Sequence, residues 1–406
     1  MPQSKPKSWL RRGLISVTVL AAACVAVGVF LDQRYFYDAP PVDVSWQIEN
    51  DAVSSLAASI VADVNANPLR IAAGLHVIAP SIGMDQTFVA GLADPASADP
   101  MRVDHQLRIA SITKPYVAAT ALVLVERGIM ALDAPLRDIV APDYIAALGA
   151  DGYNVDLITL EHLIAHRSGI PDYALHPRYL LQLVSNDLFG TQTIWTRQAQ
   201  VDFAITHEDP LFQAGQDHSY SDTGYILLGD AIERATGQDL PTAVRTVLDF
   251  DRLGLKNTWW EKLEPRPDGA RRAHQFWGRF DTSGMDPTVD LFGGGGLVAD
   301  QRDLAHAMRA IVIGKVFANQ GSIAFMKTPT HEPALVGDHA YGNGLYIYRF
   351  PQETCFGHDG FWGLIAVHCP DSDLTIALSY TQVNNGGTER NLELIHRALV
   401  QHLNTQ

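Results

Sequence analysis

Basic residues are scarce in this chain of 406 residues. It contains 30 Lys and Arg against 45 Asp and Glu, for a formal net charge of −15. Four of these cations, Lys5, Lys7, Arg11 and Arg12, stand near the start of the chain, so the remainder is even more acidic. Such a surface repels phosphate backbones, and we therefore expect no nucleic-acid partner.

Cysteine is rare as well, with three residues in the chain. Cys24 lies in an apolar run near the start of the chain, whereas Cys355 and Cys369 lie outside that run and only 14 residues apart. The segments TCFGHDG and GLIAVHCP that carry these two have the pattern of antiparallel strands joined by a short turn. Folding back about that turn places the two cysteines nearly opposite each other, so we predict a disulfide between them.

Motifs for metal ions and phosphates are missing. His162 and His166 are four residues apart, a helical spacing that suits a metal, but no HExxH motif is present and a structural role is the better interpretation. The run GGGG (293–296) lacks the GK[ST] of a phosphate-binding loop and indicates tight backbone packing instead. His76 is interpreted as an ordinary half-buried strand residue. We expect no metal and no cofactor.

The N-terminal segment predicts a membrane anchor. Residues 13–31, GLISVTVLAAACVAVGVFL, form an apolar run long enough for a helix to cross a bilayer. The cations of residues 1–12 precede it, so we expect a cytoplasmic tail, an inner (cytoplasmic) membrane helix and an exported, periplasmic remainder. Residues 32–44 then form a proline-containing linker. The alternative is a cleaved signal peptide and secretion, since AAAC offers small residues to a peptidase.

The rest of the chain has strands at both ends and helices between. A helical pattern in residues 45–66 precedes two strand-like runs, RIAAGLHVIAP and QTFVAGLA. Residues 135–290 are mostly helical and loop-rich, after which strands return and a helix closes the chain. We predict one α/β (α+β) unit. Its antiparallel sheet is flanked by helices and is built from residues 45–134 and 291–404, and a mostly helical part, 135–290, is inserted.

A serine and a lysine one helical turn apart form the first candidate motif. In SITK (111–114), Pro115 follows the lysine and places the helix start near Ser111, because proline is tolerated only in the first turn. Lys114 then lies on the same helix face as Ser111. The following VAATALVLV is apolar on nearly every side, so the helix is buried and its lysine needs a partner or a chemical task.

Two further stretches complete a pattern. They are YSD (220–222) and HDG (358–360). With SxxK, they resemble the three ordered motifs of the serine β-lactamase and penicillin-binding superfamily, in the branch of class C β-lactamases, D-alanyl-D-alanine carboxypeptidases and related esterases. Framework segments such as ITLEHLIAHRSGIPDY and GGGLVADQRDLA extend the resemblance over about residues 50 to 400. It implies a β-lactamase-like fold.

The resemblance also implies roles in catalysis. Ser111 is expected to attack a substrate carbonyl and to become acylated, and water then releases the acyl group. Lys114 and Tyr220 share the general-base role, with Tyr220 held near the phenolate by neighbouring cations. The backbone N–H groups of Ser111 and Phe361 are expected to form the oxyanion hole.

The supporting residues show two departures from the family pattern. His358 and Gly360 match the third motif, but Asp222 stands where an asparagine usually orients Lys114 and the substrate amide. Asp359 stands where penicillin-recognising members usually carry a hydroxyl that binds a substrate carboxylate. If the Asp359 side chain faces the site, its carboxylate repels that of the substrate, and we favour this orientation. The alternative is that strand alternation points the Asp359 side chain away from the site.

The resemblance therefore predicts an exported, membrane-anchored serine hydrolase. Its substrate is a small molecule or peptide with a carbonyl centre, an amide or an ester, as for a peptidase, amidase or esterase. A true β-lactamase or a D-alanyl-D-alanine carboxypeptidase is the first alternative. The second is a tethered peptidoglycan-binding protein without turnover.

Overall fold

A computed structural model describes residues 51–67, 70–331, 339–383 and 387–405. Its main sheet has eight antiparallel strands in the order β10-β11-β12-β13-β14-β1-β2-β3. The remaining strands form two small sheets, β5-β9-β4-β6 and β15-β7-β8. The strands are β1 (Ala72–Ala79), β2 (Met84–Asp94), β3 (Asp99–Pro100), β4 (His105–Arg108), β5 (Trp259–Trp260), β6 (Arg271–Arg272), β7 (Phe276–Trp277), β8 (Phe280–Asp281), β9 (Leu297–Ala299), β10 (Ala340–Tyr341), β11 (Tyr346–Arg349), β12 (Thr354–Gly360), β13 (Leu364–Cys369), β14 (Leu374–Tyr380) and β15 (Gln382–Val383).

Helices cover both faces of the main sheet. The first and last described helices, α1 and α13, pack on one face, and α11 packs on the other. The helices are α1 (Ala52–Ala66), α2 (Thr113–Glu126), α3 (Leu136–Ile139), α4 (Pro142–Ala150), α5 (Leu160–Ile164), α6 (Pro177–Phe189), α7 (Arg197–His207), α8 (Asp222–Thr236), α9 (Leu240–Leu248), α10 (Phe250–Leu253), α11 (Gln301–Val312), α12 (Gln320–Lys327) and α13 (Thr388–Leu403).

Strand alternation explains the two hydrophobic cores. On β1, Leu75 and Val77 point to the face covered by α1 and α13, where they pack with Leu56 and Leu392. The residues between them point to the opposite face, because successive strand side chains alternate. The central strands β1, β13 and β14 are therefore buried on both sides along their whole length.

The predicted architecture is confirmed in outline. The two ends of the chain meet in the sheet, since β1 pairs with β14 and Gly74 lies opposite Ser379. Helices α3 to α10 lie between the two strand-rich parts of the sequence. The predicted anchor at residues 13–31 lies outside the described residues. Within the described ranges, no helix is both long and apolar enough to cross a membrane.

The predicted disulfide is present. Cys355 on β12 and Cys369 on β13 are bonded, with their Cα atoms 4.2 Å apart. Phe356, which follows Cys355, pairs with His368, which precedes Cys369. Because the strands are antiparallel, the two cysteines are direct cross-strand neighbours. The bridge joins the strand of the third motif to the centre of the sheet.

Candidate active site

Ser111 lies where a strand turns sharply into a buried helix. It occupies a short 3₁₀ turn, Ala110–Ile112, between β4 and α2. Ala110 has a φ of 46°, in the left-handed region that a residue with a side chain rarely adopts. Ile112 and most of the helix beyond it are buried, while Ser111 keeps partial exposure. Ser111 is therefore a partly exposed residue at the start of an otherwise buried segment.

Lys114 is fully buried and is held by three oxygen atoms. Its Nζ lies 2.9 Å from Ser111 Oγ. It also donates to the carbonyl oxygen of Gly294 at 2.8 Å and forms a short ion pair with Asp222. The carbonyl and the carboxylate are acceptors only and use two positions on the nitrogen. The third position faces the serine hydroxyl.

Helix α8 positions the acid of the second motif. Ser221 caps the helix, its Oγ accepting from the backbone N–H of Gly224 at 3.1 Å, so Asp222 begins the first turn. The backbone N–H of Asp222 donates to Asp172 Oδ1 at 3.0 Å. A side chain at Gly294 would overlap the Asp222 carboxylate, so the backbone at Gly294 packs directly against this carboxylate. Tight packing, as the sequence indicated for residues 293–296, is thus confirmed.

Two more carboxylates surround Asp222, and sequence reasoning missed both. Burial, and then the charge of Asp222, raise the pKa of Asp172 and of Asp290 to about 7. Among the described residues, Asp290 Oδ1 is buried without a hydrogen-bond partner. The sequence feature that could have pointed to Asp172 is its position in GIPDY, which is part of a framework segment of the family resemblance. Asp290 has no motif around it.

Tyr220 contacts both members of the first motif. Its side chain is hydrogen-bonded to that of Ser111, and Lys114 Nζ lies 4.8 Å from the centre of its ring. Burial, followed by the nearby Asp222, Tyr346 and Tyr341, raises its pKa well above the ordinary value. The resting tyrosine is therefore a neutral phenol. Burial, the largest cause, together with the anionic and phenolic neighbours disfavours the phenolate that the resemblance led us to expect.

A directional hydrogen-bond chain links the second motif to the third. The backbone N–H of Ser221 donates to His166 Nδ1 at 3.1 Å, so the proton of this neutral imidazole is on Nε2, which donates to Tyr341 Oη at 3.2 Å. His358 Nδ1 donates to the carbonyl oxygen of Asp359 at 2.7 Å, which leaves Nε2 to accept from Tyr341 at 3.4 Å. Burial, and then Lys114, lower the pKa of His358 to about 3, so it is neutral.

The third motif divides its side chains between the two faces of the sheet. Asp359 pairs with Ile365, which belongs to the core under α1 and α13, so Asp359 shares that face. Its side chain is 46% exposed. Of the two orientations left open by the sequence, the structure has the outward one. The favoured inward orientation is wrong because β12 alternates regularly through this residue.

Gly360 and Phe361 lie beside the nucleophile turn. A side chain at Gly360 would collide with the carbonyl oxygen of Ile109, so the end of β12 packs directly on the segment that carries Ser111. Phe361 follows immediately, and its ring packs against Trp277 and Trp362 at centroid distances of 5.9 and 5.0 Å. The structure thus brings all the predicted site residues together around Ser111, apart from the side chain of Asp359.

Comparison with known proteins agrees with this geometry. The family model Beta-lactamase matches residues 57–400. Esterase EstB of Burkholderia gladioli is 32% identical over 245 residues, which cover 54% of this chain and 60% of the esterase. A putative D-alanyl-D-alanine carboxypeptidase of Escherichia coli is 24% identical over 253 residues, covering 54% and 56%. The match thus spans less than two thirds of either relative.

Solved structures show the same fold. D-amino acid amidase from Ochrobactrum anthropi SV3, complexed with D-phenylalanine, superposes with a TM-score of 0.69 at 23% identity. The superposition covers 84% of this chain and 97% of the amidase chain. At that identity the likeness concerns the arrangement of helices and strands.

Proposed function

The chain belongs to the Beta-lactamase family of serine hydrolases, and from that premise we propose that Ser111 is its nucleophile and forms an acyl-enzyme with amide or ester substrates. The observation that carries this proposal is the 2.9 Å approach of Lys114 Nζ to Ser111 Oγ. The other two acceptors on that nitrogen are fixed, so the lysine is aimed at the serine.

Acylation begins with removal of the serine proton. When the Lys114 ammonium passes one proton to the Asp222 carboxylate that it contacts and its amino group rotates about the Cε–Nζ bond, the resulting lone pair faces Ser111. That lone pair takes the hydroxyl proton as Oγ bonds to the substrate carbonyl carbon. Tyr220, a neutral phenol hydrogen-bonded to Ser111, gives its proton to the leaving nitrogen or oxygen and is reprotonated from Lys114.

The oxyanion is stabilised by backbone groups. The N–H of Ser111 and that of Phe361 serve this role, since Gly360 packs the end of β12 onto the nucleophile turn. Water then attacks the acyl-enzyme, with the proton transfers reversed. His358, neutral and tied to Tyr341, positions the edge of the site without supplying a charge.

Charge favours substrates without a carboxylate beside the scissile bond. Asp172 and Asp290 lie near Asp222, which is paired with Lys114, and the third motif offers a neutral histidine where many relatives have a lysine. The third motif therefore gives a substrate carboxylate no ion pair in return for the water that it loses on entering the site. Neutral esters and amides do not carry that cost. We therefore place esterase or amidase activity ahead of β-lactamase or carboxypeptidase activity.

We further propose that the enzyme is exported and anchored by residues 13–31. The apolar run after a basic start supports this, and the Cys355–Cys369 disulfide fits an oxidising compartment. Cell fractionation followed by intact-mass analysis of the membrane-bound protein tests it. A mature chain that begins after residue 24 would show cleavage instead of anchoring.

Intact-mass detection of the acyl-enzyme tests the catalytic proposal. A short-chain aryl ester, D-phenylalanine amide, a cephalosporin and a D-alanyl-D-alanine peptide are compared side by side, together with a fluorophosphonate probe. We expect covalent labelling of the wild type and of the control Ser219→Ala, and none of Ser111→Ala. Labelling that persists in Ser111→Ala contradicts the proposal. Absence of any adduct or turnover in the wild type favours a binding protein.

A further inference from the structure

Two histidines and an aspartate from three elements converge away from the catalytic motifs. They are His76 on β1, Asp85 on β2 and His306 on α11. His76 Nε2 lies 3.0 Å from Asp85 Oδ1, and His306 Nε2 lies 3.1 Å from the same carboxylate. One donor atom from each residue lies within 4.8 Å of the other two. We propose that these three residues bind a divalent transition-metal ion, with Zn²⁺ as the typical occupant.

The donor set suits such an ion. Imidazole nitrogen and carboxylate oxygen are ligands that Zn²⁺ accepts at about 2.0–2.2 Å, and three protein ligands leave a fourth position for water. Asp85 is 49% exposed and His306 24% exposed, so the cluster opens to solvent on one side and an ion has a path to it. His76 closes the other side, at 1% exposure.

A threonine hydroxyl on the other side of the His76 ring orients the imidazole so that Nε2 faces the cluster. His76 Nδ1 lies 2.7 Å from Thr87 Oγ1, on the neighbouring strand position. A threonine hydroxyl both donates and accepts, so it can accept from Nδ1–H when Nε2 binds a metal.

Metal binding would fasten helix α11 to the sheet. His76 and Asp85 lie on adjacent strands, and His306 comes from the helix packed over them. Without an ion, the cluster is held by the carboxylate shared between two imidazoles. An ion replaces those contacts with bonds to all three elements. Because an ion that binds only the folded state stabilises it, the melting temperature should rise with metal concentration.

Zn²⁺ titration of the chelator-treated full-length protein tests the proposal. Competition with a chromophoric chelator gives stoichiometry and affinity, and thermal melting gives the stabilisation. We expect one equivalent to bind, and affinity to fall at least about tenfold in His306→Gln and in Asp85→Asn, each of which loses a ligand. Thr87→Val should weaken binding while leaving all three ligands in place.

His339→Gln is the matched control. His339 is also 24% exposed and has a carboxylate partner, Glu389 at 3.4 Å, but in the described part of the chain no second histidine joins them. We expect this variant to bind Zn²⁺ like the wild type, with circular dichroism of the metal-free variants showing that each is folded. Failure of the wild type to bind, or unchanged affinity in both His306→Gln and Asp85→Asn, would overturn the proposal.

Discussion

Adding one methyl group at Gly294 should misplace the Asp222 carboxylate without removing any charged group. The new Cβ would lie 3.1 Å from the carboxyl carbon of Asp222 and nearer still to Oδ1. Carbon atoms in contact are about 3.5–4.0 Å apart, so the carboxylate must move away from the new Cβ by about 1 Å at its oxygen, which disturbs its ion pair with Lys114. Misplacement on that scale costs about 100-fold in rate, and we expect kcat of Gly294→Ala to fall by that factor.

Steady-state kinetics on the preferred ester or amide measure this effect. Gly284→Ala is the control, because a Cβ there meets no atom within 4 Å and the φ of Gly284 lies outside the left-handed region. Adding Gly294→Ala to an Asp222→Ser background should cost little more, since the clash acts through the longer side chain. A folded Gly294→Ala with wild-type kcat would refute the reasoning.

Three further predictions follow from the same contacts. Tyr220→Phe should lower kcat by several orders of magnitude with a smaller change in KM, because it removes the proton that reaches the leaving group; equal activity would exclude that role. Asp359→Thr should leave the preference between a neutral ester and its carboxylate analogue unchanged, since the side chain points to the opposite face; a reversal would contradict this placement. Because the pKa of Asp290 is raised, its carboxyl keeps a proton in the folded state between about pH 4 and 7, where the unfolded chain has lost it. The contribution of Asp290 to the free energy of unfolding is therefore fully present below about pH 4 and is lost as the pH rises through about 7. Asp290→Asn should accordingly stabilise the protein at pH 8 more than at pH 5 in urea titrations, and an equal change at both would count against it.

The parts of the site that sequence reasoning found are those whose residues are neighbours in the chain. Ser111 and Lys114 are one helical turn apart, and Pro115 marks where that turn begins. The pairing of Cys355 with Cys369 followed from one hairpin. In each case a short stretch contains both the residues and the geometry that relates them.

The parts that were missed depend on long-range packing. Asp172 reaches Asp222 from a loop and Asp290 from a short 3₁₀ helix, Pro287–Asp290, and no local pattern sets their distance. The resting state of Tyr220 depends on neighbours contributed by β10 and β11, which only the folded chain brings together. His76 was taken as an ordinary strand residue because its partner on α11 is far away in sequence. The division of the chain at residues 135 and 290 stays a prediction.

The pairing of β1 with β14 has a consequence for how the protein is made. Gly74 and its partner Ser379 are 305 residues apart. At about 5–20 residues per second, synthesis of that interval takes roughly 15–60 s, during which the first hairpin has one free edge. The nascent enzyme therefore cannot complete its sheet before β14 has been made, and the apolar β1 must be protected until then. A chain that stops before Leu374 lacks a central strand, so we expect it not to reach the native fold and to have no activity.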